Sequence, residues 1–571
     1  MRAVVALILG LGTCAAACSK CGAPADTNAA DAAEAAVPAP ADLLADVYVS
    51  TPNTSWGKLQ RGVGGAIGIL PPGIGGMVCT ACGMDFSFAD EIDGTAPAYG
   101  VIAGDPADPS WVLALKLVDF RRARGALVGD DVSRFTAKEL GDGITEIVPK
   151  QASRGDPHQP VAITKNGWMV VAKRSADLPR LAPYVTRTLS TRPLPEGSIT
   201  IDVPRVAIDT IFAPKLDSAW TDLKQFLLAQ DARMRREHGG RAPDYGDPQA
   251  IVAGLDAIVS GRLAVVHDLD RVRLTIDVAD QDVTIAATLA PAQGGGAATK
   301  WIDGMKTGDA SAVLRMPSAS ALAFASRDSE ADRAAQAAQI EKTMTEALGA
   351  RVPDADQKRI HDAVDAFSKS RGDVLAGSVV WDDPRAWFVR FSATDAAAAD
   401  RALRTGIELT RVAPFSEMLH TKEVAIASED AAGLGKASVA TITRTPPPSK
   451  ADAGAPRSKG SGPDKMTVAW ISEGGALDVA YGEDARTALA LSAKPEKKLD
   501  DEPSVKTALA PLGDRVSTVL VAQPLRFDPK RANLPVAPVV VGVGRQEKNG
   551  FVRVDVSDGV LREVTRFFMG L

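Results

Sequence analysis

The chain repeats itself, and a repeat limits the folds open to it more tightly than any local motif. The run Ala45-Asp-Val-Tyr48-Val-Ser50 returns 276 positions later as Ala321-Leu-Ala-Phe324-Ala-Ser326. The same shift of 276 carries Trp111 to Trp387, Asp119 to Asp395, Ala126 to Ala402 and Leu127 to Leu403. Val161-Ala162 and Asp177 then match Val468-Ala469 and Asp484 at a shift of 307. The added length falls mostly in the Pro-, Lys-, Gly- and Ser-rich segment from Thr445 to Lys465, which reads as a disordered loop. Two homologous halves are therefore expected, 42–305 and 306–571.

Each half offers the same elements in the same order. A short strand ends at Ser50 or Ser326, and a helical region follows. Ile340, Met344 and Leu348 stripe one helix of the second half and Gly349 closes it. Ile360, Val364 and Phe367 stripe the next, opened by Pro353 and Asp354. A hairpin turning at Asp108-Pro109 or Asp383-Pro384 comes next, its second strand starting at Trp111 or Trp387. That strand leads to a helix capped by Asp119 or Asp395, whose carboxylate can accept from the first unpaired N–H groups. Asn166-Gly167 predicts a type I′ turn in the hairpin from Val161 to Lys173. Asp177 and Asp484 each start a further helix.

Antiparallel strands close each half. Val272, Leu274, Ile276 and Val278 alternate with polar residues, then Val283, Ile285, Ala287 and Leu289 repeat the pattern. Val552, Val554 and Val556 do the same after Asn549-Gly550. The first half also inserts an amphipathic helix striped by Leu216, Trp220, Leu223 and Leu227, and a second helix near 248–260. Hairpins mixed with helices, without regular βαβ alternation, predict an α+β fold of antiparallel sheets packed against helices.

The N-terminus reads as an export signal. Arg2 is its positive region, Ala3 to Leu11 its apolar core, and Ala15-Ala16-Ala17 lead to Cys18. Residues 1–17 resemble the signal of bacterial lipoproteins, which implies lipidation of Cys18, with Ser19 implying sorting to the outer membrane. Cys14, with Leu11 three positions earlier, is the alternative acceptor, and plain secretion with cleavage near Ala17 or Ala25 the alternative processing. Residues 18–41, rich in Ala, Asp and Pro, cannot bury enough apolar surface to offset ordering and read as a disordered tether. After the first 20 residues no uninterrupted apolar run reaches the ~18 residues of a spanning helix. The unit from Val112 to Val118, then Asp119, Phe120 and Ala123, resembles exported bacterial lipoproteins of a domain family without assigned function. That resemblance implies an envelope location facing the periplasm or exterior, a membrane and an envelope protein as partners, and no catalytic residues.

Chemistry-bearing motifs are few. A formal charge of −6 over 571 residues argues against a nucleic-acid-binding surface. Cys79-Thr80-Ala81-Cys82 reads as a structural disulfide in an oxidising compartment, or else as a redox dithiol. A four-cysteine zinc site using Cys18 and Cys21 fails if Cys18 carries lipid. His158, His238, His267, His361 and His420 lack the spacing of a zinc site. His267-Asp268-Leu269-Asp270 reads as a turn, and Gly433-Leu-Gly435-Lys436 departs from a phosphate loop at Asp430 and Ala437. Arg233, Arg235, Arg236 and His238 form a basic helix end, and the Gly-rich stretch Gly62 to Met77 is either core or an apolar flap. No metal or cofactor is implied. The leading reading is a non-enzymatic envelope lipoprotein that binds or scaffolds. A carrier for an apolar ligand or lipid, and a thiol-redox protein using Cys79 and Cys82, are the alternatives.

Metabolic labelling with a palmitate analogue checks the anchor: wild type should incorporate label and Cys18→Ala should not, and equal labelling would exclude Cys18 as the site.

Overall fold

Strands that are apolar at every position, not at alternate ones, have both faces covered. Val161 to Thr164 and Trp168 to Ala172 are buried at every residue, as is Leu43 to Val49. That pattern places helices on two sides of each sheet. The computed structural model describes residues 35–63, 70–129, 133–151, 158–237, 248–279, 282–348, 351–381, 385–444, 465–482, 484–527 and 536–569. It shows an α+β fold with a large antiparallel sheet and many helices. Contacts divide the chain into two units, Met1–Pro214 with Leu269–Gln293 and Arg553–Leu571, and Lys215–Asp268 with Gly294–Val552.

In the first unit the strands are β1 (Leu43–Val49), β2 (Ala98–Ala103), β3 (Ser110–Lys116), β4 (Phe135–Gly141) and β5 (Ile144–Pro149). They continue with β6 (Val161–Thr164), β7 (Trp168–Ala172), β8 (Ile199–Pro204), β9 (Leu269–Val278) and β10 (Asp282–Pro291). Their order across the sheet is β10-β9-β8-β1-β2-β3-β7-β6-β5-β4, antiparallel throughout. One face packs Val47, Val161, Ile163 and Met169 against Ala123 and Leu127 of the helix Phe120–Val128. The other packs Tyr48, Tyr99, Ala162 and Val170 against Leu178 and Leu181 of the helix Asp177–Pro183.

In the second unit the strands are β11 (Leu322–Arg327), β12 (Arg371–Val380), β13 (Ala386–Ala393), β14 (Thr421–Ala431) and β15 (Gly435–Arg444). The remainder are β16 (Lys465–Glu473), β17 (Ala476–Gly482), β18 (Val516–Ala522), β19 (Val539–Gln546) and β20 (Asn549–Ser557), of which only the residues up to Val552 belong to this unit. Their order is β20-β19-β18-β11-β12-β13-β17-β16-β15-β14. Ala440, Ile442, Trp470 and Leu477 pack on one face with Ala399 and Ile407 of the helix Ala396–Leu409. Ala437, Val439, Ala469 and Ala480 pack on the other with Ala485, Ala488 and Leu489 of the helix Ala485–Ala493.

The aspartate caps form as the sequence predicts. Asp119 accepts from the backbone N–H of Arg122 at 2.8 Å, and Asp395 from that of Ala398 at 2.9 Å. Asp484 caps its helix through Thr487, whereas Asp177 lies inside the first turn, after Ala176. The hairpin at Asn166-Gly167 differs from expectation. Thr164 pairs with Trp168, so three residues form the loop, and among 165–167 only Gly167 has positive φ, at 82°. A type I′ turn needs positive φ at both central residues; the three-residue loop needs it at one, and glycine supplies it.

Two helices depart further from the sequence reading. The helix Ala213–Glu237 forms, but Leu216 and Leu223 of its stripe are 46% exposed, so the stripe is not a core face. Pro248–His267 is one continuous helix, long and apolar enough by length and composition to cross a membrane although no uninterrupted apolar run spans it. Asp256 and Arg262 interrupt that run, and Asp256 accepts from Trp220 Nε1 at 2.6 Å and Lys224 Nζ at 2.8 Å. These bonds tie the two helices side by side.

Removing the Asp395 cap leaves an early N–H of its helix without a partner, at a cost of ~1 kcal/mol. Asp395→Ala should lower the urea midpoint of unfolding by that equivalent with the far-UV spectrum unchanged; an unmoved midpoint would contradict the capping role.

Candidate functional site

The motif residues of the sequence do not converge. Cys79 and Cys82 lie in the last turn of the helix Ile74–Cys82 and are both buried, and no disulfide joins them. This corrects the expectation of a structural disulfide at that pair. Helix neighbours three apart hold their Cβ atoms ~5–6 Å apart, beyond the ~3.5–4.5 Å of a disulfide. A redox dithiol places its reactive cysteine at a helix N-terminus, where the thiolate is favoured. Here the pair sits at a C-terminus, closed by Gly83 in the left-handed region at φ 66°. Burial, with Asp85 and Asp90 adding to it, pushes the Cys79 thiol up to about 12. Cys14, Cys18 and Cys21 lie outside the described residues, as do His238 and the loop 445–464.

The other motifs resolve into local structure. Asp268 accepts from the backbone N–H of Ala298 at 2.9 Å, anchoring the start of the helix Ala297–Gly304. Gly433 and Gly435 form the turn between β14 and β15, and Lys436 lies on a strand, not at the helix start that a phosphate loop requires. Ile74, Val78 and Cys79 are core, so the described end of the Gly-rich stretch belongs to the first unit's interior. Among the described residues no three metal-ligating side chains gather. Buried Asp46 accepts from the buried Tyr184 hydroxyl at 3.0 Å and from Nη1 of Arg192, which reaches it from the surface, at 2.9 Å. Burial raises the Asp46 carboxyl and the Tyr184 hydroxyl above their ordinary values.

The concave feature of the second unit was not singled out by any motif. Helices Glu330–Leu348, Asp354–Ser370 and Ala396–Leu409 enclose with β15 and β16 a cleft of about 620 Å³. Its floor is the cross-strand pair Ile442 and Met466, with Val468 beside it. Ile340 and Met344 of the first helix, Ile360, Val364 and Phe367 of the second, and Leu403 and Ile407 of the third form its walls. The two stripes read from the sequence are thus cleft walls as much as core, and Ile340 is 50% exposed at the opening. Gly406 also lines the cleft, and a Cβ built there meets nothing within 4 Å. Such an apolar concavity falls within the ~300–1,000 Å³ of small-molecule sites.

One ion pair bridges the first two helices. His361 Nδ1 lies 2.9 Å from Glu341 Oε2. No protein-family model and no curated protein matches the chain. One solved structure, described as "Structure of crystal form I of TP0453", aligns with 44% of this chain and 95% of that one, at 8% identity and a TM-score of 0.19. A score that low carries no argument. The resemblance carried by Val112 to Val118, Asp119, Phe120 and Ala123 rests on those residues alone.

The Glu341 hydrogen bond, and then its charge, raise the His361 pKa above its ordinary 6.5. A group raised on folding contributes stability below its unfolded value that is lost as pH rises through the folded one. NMR titration should therefore place His361 above 6.5, and His361→Gln should remove a loss of stability on alkalinisation through that range; a midpoint at or below the ordinary value would contradict the bridge.

Proposed function

We propose that the protein is a non-enzymatic cell-envelope lipoprotein, held to the membrane through Cys18, that binds an apolar ligand in the cleft of its second unit. The observation that carries this reading is the cleft itself: about 620 Å³ lined mostly by aliphatic side chains with Phe367 and Phe415. Burying apolar surface there is favourable at about 25 cal/mol per Å², and among the described residues no side chain fills the space. A binding role fits the motifs placed among the described residues, which resolve into caps, turns and core contacts. The thiol-redox alternative is disfavoured by the buried Cys79, whose thiolate is suppressed.

The two units are read here as copies of one ancestral fold. The strand orders support this: adding ten to each strand number of the first unit gives the order of the second. Ile163 and Trp470, separated by the shift of 307, both lie beneath the Asp-capped helix, Phe120–Val128 or Ala396–Leu409. On that face the first unit packs Ile74, Val78, Cys79, Cys82, Met84 and Phe88 against the sheet. The second unit puts two longer helices there and leaves the cleft. One copy is plugged by its own side chains; the other keeps an equivalent face open for a guest.

Gly406→Leu tests this without touching a packed position, since its side chain enters open cleft space and a helical glycine is replaced by a better helix former. Wild type should bind a fluorescent apolar probe such as N-phenyl-1-naphthylamine, and the variant at least about tenfold more weakly (a 1.4 kcal/mol change) with no loss of thermal stability. Absence of probe binding by wild type would sink the carrier reading.

A further inference from the structure

The cleft is not uniform along its length. Its only charged lining residues among those described are Arg333 and Arg371, both at one end, with Gln336 and Ser368 beside them; no acidic side chain lines it. Arg333 is 9% exposed, and its Nε is buried with no hydrogen-bond partner. Its Nη1 donates to the backbone oxygen of Asp328 at 2.9 Å. Arg371 is paired with the Asp328 carboxylate at 2.8 Å and lies 3.4 Å from Gln336 Oε1. The end of the cleft thus sets two guanidinium charges against one carboxylate. That surplus of positive charge at the cleft's end is what an anionic oxygen in the cleft would offset through a charge-assisted interaction with the guanidinium groups that line it.

From that end the cleft runs down a single helix face. Arg333, Ala337, Ile340 and Met344 follow one another at spacings of four, three and four, and the helix rises about 16 Å between the first and the last. A cationic end followed by an apolar trough fits an amphiphile with one anionic head and one alkyl chain. The geometry points to a fatty carboxylate as the occupant, its head at Arg333 and its chain laid along Ile340 and Met344 over Met466. The surplus of one positive charge matches a carboxylate. A phosphate monoester brings more negative charge than one guanidinium offsets. This assignment rests on the proposed apolar site and narrows it to one ligand class.

Displacement of the naphthylamine probe from the full chain separates the two ideas. Dodecanoate should compete at least about tenfold better than dodecanol, and dodecyltrimethylammonium should compete worst. Moving the carboxylate series from decanoate to dodecanoate should tighten binding about fourfold per methylene, the factor equivalent to ~0.8 kcal/mol. Arg333→Gln should abolish the preference for carboxylate over alcohol while leaving dodecanol affinity within about twofold. Arg333→Lys, which keeps the charge but not the planar guanidinium, should retain part of it. Equal competition by dodecanoate and dodecanol in wild type, with probe still bound, would overturn the headgroup assignment and leave the apolar site standing. Stronger competition by dodecyl phosphate than by dodecanoate would overturn the choice of carboxylate. The wild-type comparisons hold whether or not the Arg333 variants fold.

Discussion

Burial of both faces of the sheet is the constraint on which each unit depends. An antiparallel sheet can leave one face wet, but the central strands here carry apolar side chains in both directions. Ala162 packs on one face while Val161 and Ile163 pack on the other. Ala469 and Trp470 divide in the same way. Each sheet therefore needs a helical layer on each side. Short capped helices such as Phe120–Val128 and Ala485–Ala493 supply part of that cover, so the cap aspartates matter to packing as well as to helix ends.

How completely that cover is made separates the two units. In the first, Cys79 and Cys82 behave as small apolar groups that fill space beside Met84 and Phe88. Their burial explains the raised thiol pKa of Cys79, and the helix that carries them explains the absence of a bond between them. In the second, the helices Glu330–Leu348 and Asp354–Ser370 are longer and line the cleft. Packed interiors rarely leave gaps larger than a water molecule, so a trough lined by Ile340, Val364 and Leu403 is a feature the fold maintains at a cost in packing. The polar end of the trough continues the same logic. Asp328 neutralises one guanidinium of two, and buried charges left unmatched call for a partner.

Much of this was legible in the chain. The repeated Asp119 and Asp395 predict two caps and both form, because capping depends on four consecutive residues and nothing distant. Ile340, Met344 and Leu348, then Ile360, Val364 and Phe367, locate two helices by period alone. The hairpin at Asn166-Gly167 was placed correctly and typed wrongly, since loop length is decided by which residues pair across β6 and β7. Cys79-Thr80-Ala81-Cys82 misled for a related reason. Its spacing is compatible with a bond in a loop, and only the helix that contains it holds the sulfur-bearing carbons too far apart. The helix Pro248–His267 was underestimated because a count of uninterrupted apolar residues stops at Asp256, whose charge the neighbouring Trp220 and Lys224 satisfy.

The sequence by itself determined the elements: strand and helix periods, caps, turns, and the order in which they recur. These are local, set by backbone geometry and by neighbours within a few positions. Only the tertiary structure decided that the helices of the second unit leave an apolar cleft over their sheet. A stripe of Ile, Val, Met and Phe has the same period whether it meets a sheet or stands across a gap from it. Arg333 likewise reads as an ordinary surface arginine until Ser368 and Arg371, distant in sequence, are brought against its helix and bury it. Cavity and charge are properties of how surfaces meet, and no window along the chain contains them.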